Sequence, residues 1–362
     1  MTAHAQYPPL WPRDDAGWRG GDPVLAAART RELAHALLEV GAAPGGVVAL
    51  EHAGGGEALT FALAALEAGL AVRLGPAQAP FAAALAATPA RAAELAALAD
   101  VDQVAVPVAV AADRGRSLER LAAHGVLQAA LDPDGLAQRA AARSDGDIAV
   151  IAHDGTAFTR GALAAAVAAL QAVGDLLRPG EPVLLALPVD QPWLLALALA
   201  ASAAGAPVTI GSLGDAPAIR PGVVVGSCAD VADLAEPGAA GPRVLAGLAR
   251  RLGRNRTAPP ARCLIVPDGF VDRDLCAALH LSGTAVLHAV GDPHLLVPAA
   301  LNQPHRRRID AYGLPVPGHA AEVAAGRLVV HGPAGADAGP DGTATAIGAR
   351  IDADGFVVPA HA

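Results

Sequence analysis

"RTRELAHALLEVGAAPGGVVALEHAGGGEALTFALAALEAGLAVRLG" (residues 29–75) and "TRGALAAAVAALQAVGDLLRPGEPVLLALPVDQPWLLALALAASAAGAPVTIG" (residues 159–211) carry the same order of signals. Each opens on an amphipathic helix, breaks at a Pro-Gly pair and continues into a short apolar strand. A loop, an apolar helix and a second strand ending in glycine follow. The two pairs, Pro44-Gly45 and Pro179-Gly180, lie 135 residues apart. Buried strands alternating with helices predict parallel sheets joined by crossover helices. Two copies predict two related subdomains rather than a many-copy solenoid.

Further strand–helix signals follow the second copy. "PGVVVGSCADVADLA" (residues 221–235) reads as strand then helix, with Ser227 or Asp230 as the N-cap. "ARCLIVPDGFVDRDLCAALHLSGTAVLHAV" (residues 261–290) reads as strand, loop, helix, strand. Beyond residue 310 the texture turns to short β segments, "GHAAEVAAGRLVVHGPAG" (318–335) and "TAIGARIDADGFVVP" (345–359), with a tight turn at Asp354-Gly355. The expected fold class is α/β. Two related, mostly parallel α/β subdomains (1–140 and 141–310) precede a small C-terminal β-rich subdomain (311–362).

Composition narrows the function. A chain of 362 residues has room for one large domain or two to three subdomains. It is 53% hydrophobic but only 3% aromatic, so the core is built of small aliphatics, each contact contributing little dispersion energy. The 17% charge content argues against disorder. All 26 basic residues are arginine and none is lysine. With a net charge of −9 and no basic run longer than Arg306-Arg307-Arg308, the clustered cations that a nucleic-acid binder needs are absent. Cys228, Cys263 and Cys276 show no metal-ligand or redox spacing, and three cysteines cannot form a complete disulfide framework; a reduced cytoplasm is the expected setting. The opening "MTAHAQYPPLWPRDD" lacks a basic segment followed by an apolar one, so no signal peptide is expected. The apolar run 183–210 is interrupted by Pro188, Asp190, Gln191 and Pro192, and each half is too short to span a bilayer. It reads as a buried strand, a turn and a buried helix. "GGDPVLAAARTRELA" holds no G-x-G-x-x-G, so dinucleotide binding has no support.

This order of elements resembles the large N-terminal domain of the adenylate-forming superfamily: acyl-CoA synthetases, peptide-synthetase adenylation domains and luciferases. The resemblance covers nearly the whole chain. "ELAHALLEVGAAPGGVVALEHAGGGEALTFALAALEAGLAVRLGP" (32–76) is similar to the family's opening helix, turn, strand and Ala-rich helix. "DIAVIAHDGTAFTRGAL" (147–163) stands where the family has its phosphate loop, and "LLALPVDQPWLLALALAASAAGAPVTI" (184–210) is similar to its "lPlxH" segment. "YGLPVPGHAAEVAAGRLVVHGPAG" (312–335) is similar to "GxPxPGxxvxixdGELxvrGP", and "IGARIDADGFVVP" (347–359) to "TGDLGxxDxDGYxxxxGR".

The chemistry-bearing residues of that family do not carry over. A phosphate loop supplies backbone amides and a cation to a polyphosphate. "HDGTAFTRG" is shorter, places Asp154 where phosphate would sit, and offers Arg160 as the stand-in for lysine. "AVGDPH" aligns with the family's "YGxTE" and puts Val290 at the adenine-stacking tyrosine, Pro293 at the threonine and His294 at the magnesium-holding glutamate. The ribose-binding aspartate falls at Ile347, and nothing before Ala362 matches the lysine-bearing C-terminal lid domain. The resemblance therefore implies a relative without ATP-dependent adenylation, with no cofactor and no metal expected. One expectation is a non-catalytic accessory to a partner enzyme in a bacterial biosynthetic pathway. The other is a repurposed, ATP-independent enzyme that uses the old acyl pocket for acid–base or hydrolytic chemistry on a small acyl-type molecule. Self-association is left open.

Candidate site residues come from the same segments. The resemblance brings His153, Asp154, Asp190, Gln191, Trp193, His288, Asp292 and His294 to one cleft. Histidine titrates near neutrality and a carboxylate fixes its tautomer, so His153, Asp190, His288, Asp292 and His294 are the expected acid–base groups. Asp154, Gln191, Trp193 and Val290 are expected to contact substrate. The bland alternative is that such residues only cap helices and solvate turns, and Asp154-Gly155 favours a plain turn. Cys276 and His280 are spaced to touch on one helix, although a buried cysteine normally behaves as a small hydrophobe. His35 and His280 read as core or helix-surface histidines, and Arg306-Arg307-Arg308 as a solvent-facing run.

Overall fold

The computed structural model describes residues 27–39, 45–51, 55–76, 81–86, 88–99, 104–106, 116–233, 261–281, 283–336 and 342–360. The opening segment 1–15, Gly20–Val24 and Pro44 lie outside the described residues. Ten helices appear among them: α1 (Ala27–Glu39), α2 (Gly55–Glu67), α3 (Pro89–Ala99), α4 (Leu118–Leu131), α5 (Gly135–Ala141), α6 (Arg160–Gln171), α7 (Pro192–Ala203), α8 (Ala216–Ile219), α9 (Cys228–Asp233) and α10 (Arg273–Leu281).

The first sheet contains β1 (Val47–Leu50), β2 (Ala71–Leu74), β3 (Ala83–Leu85), β4 (Val104–Val106), β5 (Arg116–Ser117), β6 (Ile148–Ile151) and β7 (Ala157–Thr159). Their spatial order is β5-β4-β3-β1-β2-β6-β7, parallel except for the β6–β7 hairpin. The second contains β8 (Val183–Leu185), β9 (Val208–Ile210), β10 (Val223–Val225), β11 (Cys263–Val266), β12 (Ala285–Val290) and β13 (Ala300–Leu301), ordered β13-β12-β11-β10-β8-β9 and parallel except for β12–β13. The third is an antiparallel sheet of β14 (Ala320–Ala324), β15 (Arg327–His331), β16 (Thr343–Ile351) and β17 (Val357–Pro359). The expected class, two mostly parallel α/β units and a β-rich piece, is the observed one.

The sequence echo is a topological repeat. β5-β4-β3-β1-β2 in the first sheet corresponds strand for strand to β12-β11-β10-β8-β9 in the second. Even single hydrogen bonds recur. Gly45 N donates to Gly69 O at 3.1 Å, and Gly180 N to Gly205 O at 2.8 Å. Gly75 N donates to Leu50 O at 3.3 Å, and Gly211 N to Leu185 O at 3.1 Å. The boundary expected at 140/141 does not coincide with the sheets: β6 pairs with β2, so residues 148–159 extend the first sheet. Strand order is long-range information that local patterning does not carry.

Packing follows from the strand period. On the second sheet Val183, Leu185, Val223, Val225, Ile265 and Leu287 face one core, which they share with α2, α6 and α7. Leu184, Val224, Leu264, Val266 and Val286 face the opposite core, under α8, α9 and α10. Helix α7 is apolar all round, and eleven of its twelve residues are buried, as a helix covered on every side must be. Among the described residues no helix is long and apolar enough to cross a membrane.

A buried amide braces the loop that follows β13. Asn302 is fully buried and follows β13. Its Nδ2 donates to Arg308 O (2.9 Å) and Ala311 O (2.8 Å), and its Oδ1 accepts from Arg308 N at 2.9 Å. Asn302→Ala leaves two carbonyls and one amide without these partners. A loss on the order of 3 kcal/mol is expected in urea unfolding, against less than about 0.5 kcal/mol for a neutral surface change.

Candidate functional site

Strand β6 in the first sheet and strands β8 and β12 in the second each lead into a polar turn, the position where open α/β sheets bind ligands. After β6, Gly155 N donates to Ala152 O (3.0 Å) and Ala152 N to Thr156 O (2.8 Å), so His153-Asp154-Gly155-Thr156 is a hairpin turn. Asp154 Oδ1 accepts from Thr156 N at 3.0 Å. The turn reading was correct, but the same turn also presents a carboxylate.

Asp292 is the centre of the loop after β12. Its side chain is 2% exposed, and three N–H groups converge on it. Oδ1 accepts from His294 N (2.9 Å) and lies 2.8 Å from His294 Nδ1, while Oδ2 accepts from Ala346 N on β16 at 3.0 Å. On its outer side, His294 Nε2 lies 3.1 Å from Asp154 Oδ2. The imidazole of His294 thus stands between two carboxyl groups, one at each ring nitrogen. Burial raises the Asp154 pKa, but the Thr156 amide and hydroxyl and the His294 charge outweigh it and hold the carboxyl below its ordinary range.

Gln191 and Trp193 form a second group. Trp193 is buried at the start of α7, and its Nε1 donates to Gln191 Oε1 at 2.7 Å. Gly291 packs on both: a Cβ there would lie 2.6 Å from Trp193 Nε1 and 3.3 Å from Gln191 Oε1. His153 and Asp190 form the third group. Both are exposed, and the His153 ring lies against Gly75, where a Cβ would be 2.8 Å from Nδ1. The atoms crowded around Asp190 raise its carboxyl pKa even so, against the pull of its own amide, His153 and the Gln191 amide. Gly291, Gly75 and the Ala346 amide are participants that the sequence reading missed. The two glycines sit at strand ends and were legible in principle; a backbone amide on a distant strand leaves no sequence signal.

Two expected site residues are elsewhere. His288 is fully buried inside β12, which continues to Val290. It shares the strand parity of Val286, so its ring points into the outer core. There Nε2 accepts from Val271 N at 3.2 Å and the ring packs 4.8 Å from Phe270. Its placement at a strand end is therefore corrected. Val290 is half-buried against the core of the third sheet. Arg160 also departs from its expected role. Its side chain is buried and donates to Leu66 O in the last turn of α2 and to Leu70 O just beyond it, each at 3.2 Å. Cys276 is buried, its thiol raised to about 11 by burial, and its Sγ faces Val271 O; His280 instead faces Arg307. The arginine run is exposed but engaged, with Arg308 bound to Asp310 and Asp352. Among the described residues no group of three His, Cys, Asp or Glu side chains is placed to hold a metal ion.

No protein-family profile matches the sequence, and no curated protein does. Solved structures match by shape. The anthranilate CoA ligase AuaEII in complex with anthranoyl-AMP aligns at a TM-score of 0.76 with 13% identity, over 97% of this chain and 75% of that one. The N-terminal domain of FACL13 from Mycobacterium tuberculosis aligns at 0.65 with 15% identity, over 93% of each chain. The chain has the adenylate-forming N-domain fold. The amide bond synthetase McbA from Marinactinospora thermotolerans aligns with the same fold at 0.68 and 21% identity, over 94% of this chain and 76% of that one. The hairpin after β6 and the loop after β12 are the segments whose sequences resemble the phosphate loop and "YGxTE", and here Asp154 and His294 join them.

Two outcomes follow from this geometry. Gly291→Ala forces a methyl against the Trp193 edge and is expected to cost about 1–3 kcal/mol, read as a lower urea midpoint with reduced near-ultraviolet tryptophan dichroism. The second concerns His288. Burial lowers its pKa to about 4, against a weak upward pull from the Arg308 carbonyl, and its Nδ1 makes no hydrogen bond of good geometry. The folded pKa lies below the unfolded value of 6.5, so the neutral ring's contribution is complete above pH 6.5 and is lost as pH falls toward 4. That loss is on the order of 3 kcal/mol. His288→Gln keeps an acceptor for Val271 N, and its urea midpoint is expected to vary less across this window. Equal slopes for the two proteins would contradict a buried neutral imidazole.

Proposed function

We propose that this protein is a non-catalytic relative of adenylate-forming enzymes that works in the cytoplasm as an accessory to a partner enzyme or as a holder of a small acyl-type molecule. The observation that carries this reading is the bridge from Asp154 through His294 to Asp292. A polyphosphate needs cations and undirected backbone amides. At the two segments similar to the phosphate loop and the magnesium-binding loop, this protein presents two carboxylates with a histidine committed to both. Thr156 N is already bound to Asp154, and Arg160 is turned into the end of α2. The lysine-free composition leaves no ammonium to replace them. Three free cysteines fit a reduced compartment.

ATP–pyrophosphate exchange with aryl and alkyl carboxylic acids is expected at background, and calorimetry with Mg²⁺ and ATP is expected to give no heat of binding. Micromolar binding of the nucleotide would overturn the reading.

A second reading keeps the site catalytic. His294 is 43% exposed and paired to a buried carboxylate, the arrangement of a general acid–base histidine. If the protein turns over an acyl-type substrate without ATP, His294→Ala is expected to lower kcat by roughly 10²–10⁴-fold. His288→Gln and Cys276→Ser are expected to leave turnover near wild type once stability is matched. Unchanged turnover in the His294 variant would exclude the site.

A further inference from the structure

Strand β6 runs from one cluster of charge to another. The His294 group lies just beyond its C-terminal end. At its N-terminal end, about 13 Å away for four residues at 3.3 Å each, three arginines converge on the end of α2. Arg139 comes from α5, Arg143 from the turn that follows it, and Arg160 from the first position of α6. Arg160 spends both Nη groups on the Leu66 and Leu70 carbonyls. Gly69, on the same turn, brings backbone against the other two: a Cβ there would lie 3.4 Å from Arg143 Nε and 3.8 Å from Arg139 Cδ. The carboxylates that act on Arg143 are Glu67 and Asp147. Asp147 already accepts from Ser144 N (2.8 Å) and Ser144 Oγ (2.9 Å).

Arg143 is the member of this cluster whose charge is least answered by the protein. Its Nε is buried and makes no hydrogen bond. Burial lowers its pKa to about 10, and repulsion from Arg160 and Arg139 adds to burial against the pull of Glu67 and Asp147. A buried donor without an acceptor costs about 1–3 kcal/mol. The residue as a whole is half-buried and keeps part of its surface open to solvent. A guanidinium presents parallel N–H groups that match the spacing of oxygens on a phosphate or carboxylate.

We propose that the Arg139–Arg143–Arg160 cluster is a binding site for a small oxyanion, with Arg143 as its principal donor and the two other guanidiniums supplying the field that holds it. Inorganic phosphate is the simplest ligand of this class. A carboxylate offers the same chemistry. The site is separate from the His294 group and stands or falls independently of the function proposed for it.

The test is thermal unfolding of the full chain in rising inorganic phosphate, with ionic strength held constant by chloride and with acetate as a parallel series. A ligand that binds only the folded state raises Tm along a saturating curve. Wild type is expected to show that curve with phosphate, or with acetate alone if the ligand is a carboxylate. Arg143→Gln is expected to bind about tenfold more weakly, the loss of about one charge-assisted hydrogen bond. In buffer without either anion the variant is expected to melt no lower than wild type, because it removes a charge that burial and two neighbouring guanidiniums oppose. Titration calorimetry of wild type with phosphate reads the binding without relying on a variant. Responses that are linear in anion and equal in the two proteins, or a variant that melts well below wild type in chloride alone, would overturn the proposal.

Discussion

Asp292 carries a charge at a position where water hardly reaches it, and three parts of the molecule are arranged around that charge. Its own loop ends the second sheet, the Ala346 amide brings in the third, and His294 carries the connection to the hairpin of the first. A buried carboxylate is tolerated only when donors surround it. Removing any one donor leaves part of a charge unanswered, so the loop after β12 has little freedom to take another shape. Gly291 adds a steric limit, because nothing larger fits beside Trp193. The geometry of the strand ends is therefore set by one acid and one missing side chain.

Much of the fold could be read from the chain before the structure was known. The Pro-Gly turns, the period of the apolar strands and the change of texture near residue 310 led to three sheets and to their kind. The partners of β6 could not be read, since a strand's neighbour is chosen by surfaces far away in sequence. The site was partly legible. Asp154, Asp292 and His294 come together because they sit beyond strand ends. His288 does not, because β12 runs two residues further than its apolar pattern suggests, and a strand residue's face is decided by parity, which its polarity does not reveal. Arg160 was also misread. The resemblance offered it as the stand-in for a phosphate-binding lysine, yet here the Leu66 and Leu70 carbonyls at the end of α2 claim it.

Using arginine as the only strong base has structural results. Each guanidinium can serve two acceptors at once. Arg91 grips both oxygens of Glu51, at 2.7 and 2.8 Å. Arg262 joins Glu181 to the Leu176 carbonyl, and Arg308 joins Asp310 to Asp352. These are fasteners between segments distant in sequence, which a single ammonium point charge would hold with less directional control. In a core of small aliphatics with few aromatic anchors, such directional ties help to select one packing among many similar ones.

Helix α7 bears on how the two repeats came to share one body. It belongs to the second repeat, yet it is greasy on every side, and α2 of the first repeat reaches β9 of the second through the same core. Neither repeat can close its interior alone. A gene encoding only one of them would yield a chain with an uncovered apolar face, which would have to pair with another copy of itself.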